Sequence, residues 1–256
     1  MKHLKNNRFI HCIFRWLLPQ TNPVDIPKNI PRFFEFFYDM FRYSKIKESE
    51  KINFLDTYPC IHDKVETTPF DPHYFYQDTW AFQKIYDSNI EHHVDVGSTY
   101  TLIGFLTGIV KVTFIDIRPL KANLENLESK KGNILNMPYE NNSVNSLSCL
   151  HVAEHIGLGR YGDPLDSLGT KKAAKELSRI LAPDGNLYFS LPIGKPKLQS
   201  NAHRIHSSKQ ILDYFEDLTL IEFSGIDDQA NFHRNIDVSA LNECNYGCGL
   251  FWFTKK

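Results

Sequence analysis

Residues 92–117, HHVDVGSTYTLIGFLTGIVKVTFIDI, contain two short apolar runs on either side of a helical segment. The first run, HHVDVG, ends at Gly97, and the second, VTFIDI, covers residues 112–117. Short runs rich in β-branched residues and bounded by turn residues predict buried strands. A strand, a helix and a second strand in this order form the unit from which parallel sheets are built.

The same alternation continues through the rest of the sequence. We predict a short helix at 99–108, a long one at 167–182 that is stopped by Pro183-Asp184-Gly185, and another at 207–215 with a serine cap. Strands that alternate with helices indicate a Rossmann-like, doubly wound α/β fold. Five further strands are predicted at 130–136, 143–150, 185–192, 218–226 and 249–254.

The N-terminal part of the sequence has a different character. We predict a helical, aromatic-rich extension at 1–60 and the α/β domain at 61–256. Seven aromatic residues crowd positions 33–43, in a helical stretch that we expect Pro31 to open. They cover more of the helix surface than a single core-facing stripe would. We expect some of these rings to meet a second copy of the chain in a homodimer, a lid or a membrane. Residues 9–18 predict an amphipathic helix, for which packing on the domain is favoured over peripheral membrane contact.

Composition excludes several classes of protein. The 256 residues carry 29 Lys and Arg against 30 Asp and Glu, a formal charge of −1. Without a basic excess, no nucleic-acid partner is expected. Five cysteines are too few for a disulfide scaffold, which favours a reduced, cytoplasmic location. The sequence has no run of about 18 uncharged apolar residues, so no membrane span is predicted. The basic start is not followed by a cleavage site, so no signal peptide is expected.

The carboxyl ends of the first two predicted strands indicate a ligand site. Ligands of doubly wound sheets bind at that edge, where Gly97 would let a backbone approach closely. Asp116 ends the second strand and is placed to accept hydrogen bonds from ribose hydroxyls. Residues 98–101 lack the further glycines of a pyrophosphate cradle, so a nucleoside cofactor without phosphates is favoured over a dinucleotide.

Four longer segments resemble a known family. HVDVGS, FIDI, GNILNMPYENNSVNSLSCLHVAEHI and AAKELSRILAPDGNLYFSLP are similar to the class I S-adenosylmethionine-dependent methyltransferases. The likeness covers about residues 90–256. GLGRYGDP and NAHRI add a resemblance to an uncharacterised, methyltransferase-like domain family. The resemblance implies a seven-stranded, mostly parallel sheet with an antiparallel last strand, and S-adenosylmethionine as the cofactor.

The resemblance also implies which residues bind that cofactor. It places the cofactor over the Gly97 turn, with the ribose at Asp116 and the adenine beside residues 132–135. Thr99 and Thr101 stand where the family carries two more glycines. The expected cofactor-binding residues are Asp95, Gly97, Ser98, Asp116, Asn133 and Ile134.

Histidines after the fourth and fifth strands are the candidate catalytic bases, because imidazole titrates near neutral pH. His151 is the first candidate, His155 and His203 follow, and Asp163 is expected to orient the base or hold a hydroxyl. The glycine-rich loop at 157–166 predicts a substrate site. The expected substrate-binding residues are Arg160, Tyr161 and Arg204, and the expected acceptor is a hydroxyl or amine of a small molecule or glycan precursor.

Two other functions stay open. HVAEH matches the inverted zinc motif H-x-x-E-H, in which His151 and His155 would bind zinc and Glu154 would act as base in a hydrolase. The altered glycine loop alternatively suggests a catalytically inactive binding protein on the same fold. No metal ligands are predicted. Cys244 and Cys248 have a spacing that zinc could use, but no second cysteine pair accompanies them, and we expect buried or inert thiols.

Overall fold

The computed structural model describes residues 8–17 and 26–256. The chain divides into two compact units, Met1–Pro69 and Phe70–Lys256. None of the described helices is long and apolar enough to cross a membrane.

In the first unit, aromatic side chains pack around one tryptophan. The unit contains helix α1 (Arg8–Leu17), helix α2 (Ile26–Tyr43) and a 3-10 turn at Phe54–Asp56. Trp16 stacks on Phe33 with ring centroids 5.6 Å apart. Its indole Nε1 donates a hydrogen bond of 3.1 Å to the hydroxyl of Thr57. The rings of Phe36, Phe37 and Phe54 complete this cluster.

Helix α2 begins before Pro31, which we expected to open it. The helix starts at Ile26, and Pro27 fits its first turn because the missing N–H has no intrahelical partner there. Pro31 then lies inside the helix, where it removes one backbone hydrogen bond without ending it.

The second unit alternates strands and helices as predicted. Asp71 caps the first helix by accepting hydrogen bonds from the backbone N–H groups of His73 and Tyr74. Ser207 and Gln210 form a capping box at the last helix. The helices are α3 (Pro72–Asp87), α4 (Tyr100–Leu106), α5 (Gly169–Ile180) and α6 (Ser208–Tyr214). The strands are β1 (His92–Val96), β2 (Lys111–Asp116), β3 (Leu127–Lys131), β4 (Val144–Leu150), β5 (Leu181–Ile193), β6 (Lys197–Gln199), β7 (His203–Ile205), β8 (Thr219–Ile226), β9 (Phe232–His233) and β10 (Gly247–Thr254).

The sheet confirms the predicted fold class. Its strand order is β3-β2-β1-β4-β5-β10-β8-β9, and β6 and β7 form a separate ribbon. Strands β1 to β5 are parallel, whereas β10 is antiparallel to both β5 and β8. Seven of these strands match the expected number, and β9 adds a two-residue edge. The order reverses between β1 and β4, which is where doubly wound folds bind ligands.

Several element boundaries differ from the sequence prediction, most of all those of β3 and of the junction between α5 and β5. Strand β3 lies at Leu127–Lys131 rather than at 130–136. Its sequence LESKK is mostly exposed at the sheet edge, so it carries no apolar pattern. A Cβ at Gly132 would lie 2.4 Å from the Ile115 side chain, so the chain passes tightly against β2 just after the strand. Helix α5 ends at Ile180 and β5 begins at Leu181, so residues 183–185, which we expected to form the turn between them, lie within the strand.

Apolar cores cover both faces of the sheet. Side chains alternate along β5, so Leu187 and Phe189 join one core and Tyr188 joins the other. The first core includes Leu177 of α5, and the second includes Trp80 of α3. Helices on both faces leave the carboxyl edge of the parallel strands as the place where loops meet.

Candidate functional site

The turn after β1 is held by a buried carboxylate. Asp95 is fully buried and accepts hydrogen bonds from the Ser98 backbone N–H at 3.0 Å and the Ser98 hydroxyl at 2.6 Å. The Ser148 hydroxyl of β4 donates to the same carboxylate. Burial raises the pKa of Asp95 to about 6, although these hydrogen bonds oppose the shift. Asp95 and Ser98, for which we predicted cofactor contacts, bond to each other through their polar atoms and shape the turn.

Gly97 lies where the ends of three strands meet. Its φ of +70° is a backbone conformation that favours glycine. A Cβ at this position would lie 3.3 Å from Asp116 Oδ2 and 3.2 Å from the Val152 side chain. Asp116 Oδ1 also accepts a hydrogen bond of 2.6 Å from the Arg118 backbone N–H. The structure thus brings together Gly97 and Asp116, the pair on which the cofactor prediction rests.

The threonines of the altered loop leave the turn intact. Thr99 has φ −67° and caps α4, a conformation that does not require glycine. Its hydroxyl donates a hydrogen bond of 2.6 Å to Asp78 Oδ2 of α3. Thr101 is exposed on α4 and lines, with Thr99, a largely apolar groove of about 790 Å³ between α3 and α4. Thr99 therefore keeps the turn and the start of α4 in place, although the related family carries glycine at this position.

The predicted adenine segment follows β3 at the same edge. Asn133 accepts a hydrogen bond of 2.9 Å from the Leu135 backbone N–H through its side chain. Ile134 is buried and belongs to one of the two apolar cores. Asn133 therefore shapes its own turn, and Ile134 anchors that turn to the domain.

His151 sits at the centre of a buried polar cluster. Its φ is +54°, which is uncommon for a residue other than glycine, and its N–H donates to the Ser190 carbonyl of β5 at 3.0 Å. The ring places Nδ1 3.1 Å from Glu154 Oε1 and Nε2 3.2 Å from Cys248 Sγ. Burial disfavours charge on the ring, but the sulfur and the carboxylate outweigh it and raise the pKa of His151.

The HVAEH segment does not form the helix that the inverted zinc motif needs. Residues Ala153–His155 make a single 3-10 turn. His155 Nδ1 lies 2.6 Å from the Ala202 carbonyl oxygen, and its Nε2 lies 3.5 Å from Glu154 Oε1. The carboxylate stands between the two imidazoles, so His151 and His155 do not present a shared helical metal site.

The ring of His203 lies near that of His155, and one of its nitrogens makes no hydrogen bond to the described residues. Its Nε2 is buried and has no hydrogen-bond partner among the described residues. The ring lies 5.0 Å from that of Tyr246 and 6.4 Å from that of His155, measured between centroids. Burial lowers the pKa of His203, and the electrostatic effect of the nearby His155 and Arg160 lowers it further. The imidazole is therefore neutral near pH 7 and can accept a proton.

Asp163 and Arg204 hold the glycine-rich loop in shape. Asp163 Oδ2 accepts a hydrogen bond of 2.6 Å from the Gly157 N–H. Arg204 donates through Nη1 to the Ile156 carbonyl at 2.6 Å and through Nη2 to the Asp166 carbonyl at 2.8 Å. We predicted that Arg204 binds the substrate and that Asp163 orients the base or holds a hydroxyl. In the structure, both side chains make hydrogen bonds to the backbone of the loop.

The tip of this loop reaches across the edge of the sheet. Tyr161 lies under the guanidinium of Arg118, with Cζ 4.3 Å from the ring centroid. Arg160 packs on the same ring at 5.2 Å and donates to the Ala202 carbonyl at 3.2 Å. Arg118 follows β2 and the loop follows β4, and β1 lies between these strands. The contact between Tyr161 and Arg118 therefore joins the loops that follow β4 and β2, on either side of β1.

Sequence reasoning missed two members of the buried cluster. His73 lies in the first turn of α3, and its ring stacks on Tyr246 at 5.1 Å. Burial lowers the pKa of His73 to about 4, and the neighbouring His151 adds to the effect. Cys248 is fully buried in β10, in line with the expected buried or inert thiol, and its sulfur contacts His151. Only the pairing of distant elements brings His73 and Cys248 to His151, so their sequence positions do not show this contact.

Solved structures confirm the fold. The N-methyltransferase NodS of Bradyrhizobium japonicum WM9, in complex with S-adenosyl-L-homocysteine, is 13% identical with a TM-score of 0.51; the match covers 85% of this chain and 97% of NodS. A Galdieria sulphuraria protein classified as a sarcosine dimethylglycine methyltransferase is 15% identical with a TM-score of 0.52, covering 71% of this chain and 86% of that one. At such identities the likeness shows the fold alone.

The family comparison matches a narrower part of the chain. Residues 125–241 match the family described as Caenorhabditis protein of unknown function, DUF268. No protein of curated function matches the chain. The chain therefore has the fold of the S-adenosylmethionine-dependent methyltransferases and resembles, over residues 125–241, the DUF268 family.

Proposed function

We propose that the protein is an S-adenosylmethionine-dependent methyltransferase that acts on a hydroxyl or amine of a small molecule or glycan precursor. The observation that carries this proposal is that Gly97, Asp116 and Val152 lie next to one another at the switch point of the sheet. NodS, which has a similar fold, is known in complex with S-adenosyl-L-homocysteine.

The residues at the switch point have distinct roles in cofactor binding. Asp116 Oδ2, at the end of β2, would accept hydrogen bonds from the ribose hydroxyls. Gly97 leaves room for the ligand because it has no side chain. Asn133 and Ile134 stay candidates for the adenine side of the site, and Asp95 and Ser98 act by positioning the turn. When bound, S-adenosylmethionine supplies a methyl group that its sulfonium has already activated.

One of the three histidines His151, His155 and His203 supplies the base. We assign the acceptor's proton to His203 Nε2, because this nitrogen has no hydrogen-bond partner among the described residues and burial lowers the pKa of the ring. His151 was our first candidate, but both its ring nitrogens already have partners. His155 Nδ1 is likewise engaged with Ala202. Arg160 and Tyr161 line the approach to these histidines and stay the candidates for contact with the acceptor.

Calorimetric titration with S-adenosyl-L-homocysteine tests the cofactor site. We expect the wild-type protein to bind and the Asp116→Asn variant to bind about tenfold to a hundredfold more weakly, since it loses a charged acceptor. Asp213→Asn is the matched control, because Asp213 is an exposed carboxylate that pairs with Lys209 on α6. Ligand-induced thermal stabilisation provides a second readout.

One observation favours the alternative of an inactive binding protein. Tyr161 contacts Arg118 across the end of β1, and Val152 packs beside Gly97, in the space above the turn. If wild-type protein shows neither heat of binding nor a thermal shift with millimolar S-adenosylmethionine or S-adenosyl-L-homocysteine, the enzyme proposal fails and this alternative replaces it.

A further inference from the structure

We propose that His73, His151 and Cys248 bind a divalent transition-metal ion, with zinc as the expected occupant. One ligand atom from each residue lies within 4.8 Å of the other two. The three residues come from the first turn of α3, the residue after β4 and the start of β10. Three separate elements thus converge on one point at the carboxyl edge of the sheet.

The distances suit a tetrahedral site. Zinc–nitrogen bonds of about 2.0 Å and zinc–sulfur bonds of about 2.3 Å put ligand atoms about 3.3–3.8 Å apart. The His151 Nε2 to Cys248 Sγ distance of 3.2 Å is close to this value. His73 is half-buried, and its ligand nitrogen lies within 4.8 Å of the other two ligand atoms.

The surroundings of His151 are those of a metal-binding histidine. In metal sites, the imidazole nitrogen that does not bind the ion usually donates to a carboxylate, which fixes the tautomer and the ring orientation. Glu154 Oε1 lies 3.1 Å from His151 Nδ1, so Nε2 is left to face Cys248. Glu154 is fully buried, and its Oε2 has no hydrogen-bond partner among the described residues.

The donor set points to zinc rather than to magnesium or calcium. Two imidazoles and a thiolate are borderline-soft ligands, whereas the two hard cations prefer oxygen. Three protein ligands leave a fourth position for water or for an oxygen, nitrogen or sulfur atom of the acceptor. His151 precedes Val152, which lies against Gly97. Use of the metal to bind the acceptor rests on the proposed function, but metal binding itself does not.

This inference revises two sequence predictions. We assigned no metal ligands, and we weighed zinc for the HVAEH segment and for the spacing of Cys244 and Cys248. The proposed site keeps His151 from that segment, replaces His155 by His73 and Cys248, and gives Glu154 the role of a positioning residue.

Metal analysis of the full-length, tag-free protein tests the site. After incubation with Zn²⁺ and dialysis against metal-free buffer, we expect one zinc ion per chain. Substitution with Co²⁺ should produce thiolate-to-cobalt charge-transfer absorption and the visible bands of a tetrahedral ion. Cys248→Ser should abolish the charge-transfer band, and His73→Gln should weaken Zn²⁺ binding at least tenfold. Cys244→Ser and His92→Gln, which alter residues outside the cluster, are the matched controls and should bind as wild type does.

A second variant separates ligand loss from misfolding. Glu154→Gln keeps the shape of the side chain, and the loss of such a partner typically weakens metal binding by about 10- to 100-fold. Thermal unfolding followed by circular dichroism identifies variants that do not fold. The proposal is overturned if folded wild-type protein retains no zinc and shows no cobalt charge transfer, or if Cys248→Ser keeps both. Retained binding of S-adenosyl-L-homocysteine in that case would leave the proposed function standing.

Discussion

At the scale of single residues, local backbone geometry was easier to predict than the direction of a side chain. Gly97 was recognisable because an apolar strand stops there, and the structure gives it a left-handed conformation. Asp95 is two residues earlier, and its sequence does not show whether its carboxylate points to a ligand or into the protein. The outcome depends on Ser148, which lies 53 positions away along the chain.

Gly97→Ala tests the geometry of the turn. The φ of +70° and the close Val152 side chain should together cost about 1–2 kcal/mol of unfolding free energy. We also expect weaker binding of S-adenosyl-L-homocysteine, measured by calorimetry. Gly104→Ala is the control, because a Cβ there meets nothing within 4 Å and the residue lies inside α4. That variant should gain about 0.5–1 kcal/mol in chemical unfolding. Equal effects of the two substitutions would show that the turn is not constrained as described.

At the scale of elements, the sequence was informative wherever burial leaves a pattern. Strands β1 and β2 are mostly buried, and their short runs of β-branched residues between turn residues predicted them. Strand β3 is an edge strand with mostly exposed side chains, and its position was therefore predicted three residues late. The glycine-rich loop was recognised as a functional candidate, but the roles of its polar residues depend on Arg204, which comes from a separate ribbon.

Arg204→Lys tests how the ribbon holds the loop. Lysine cannot reproduce the two donors that reach the Ile156 and Asp166 carbonyls, so the loop should open more often. We expect faster cleavage within residues 157–166 in limited proteolysis under native conditions. Arg234→Lys is the matched control, since Arg234 donates to the exposed Gln83 side chain on a different part of the unit. If both variants resist protease as wild type does, the guanidinium does not hold the loop.

At the scale of the whole molecule, the mostly parallel sheet followed from the alternation of elements, and its antiparallel last strand followed from the resemblance. The cluster of His73, His151 and Cys248 did not, because its members meet only once the sheet is assembled. Contact of the N-terminal helices with a membrane, and the homodimer, stay predictions; Ile13 and Leu17 of α1 have exposed side chains.

The buried network across β1 and β4 should shape the pH dependence of global stability. His93 is fully buried, and its nitrogens lie 2.8 Å from the Ser146 and Ser148 hydroxyls. Burial lowers its pKa to about 3, so the folded state keeps the ring neutral. The unfolded chain binds a proton below about pH 6.5, and the stability that His93 contributes is lost as the pH falls below that value. Asp95 acts in the opposite direction, because its pKa is raised.

Chemical unfolding of wild type and His93→Gln isolates the histidine, since Asp95 is common to both proteins. Between about pH 7.5 and 4.5, wild type should lose about 2–3 kcal/mol more unfolding free energy than the variant. His92→Gln is the control, because that ring is less buried and its pKa is less strongly lowered. Parallel curves for wild type and His93→Gln would contradict the assignment.

The position of β10 has a consequence for synthesis of the protein on the ribosome. β10 is the last strand along the chain, yet in space it lies between β5 and β8, which are made earlier. Until β10 emerges, each of these two strands presents an unpaired edge, and such edges readily pair with other chains. The nascent chain therefore passes through a stage with an open cleft in its sheet, which its final strand closes by pairing on both sides.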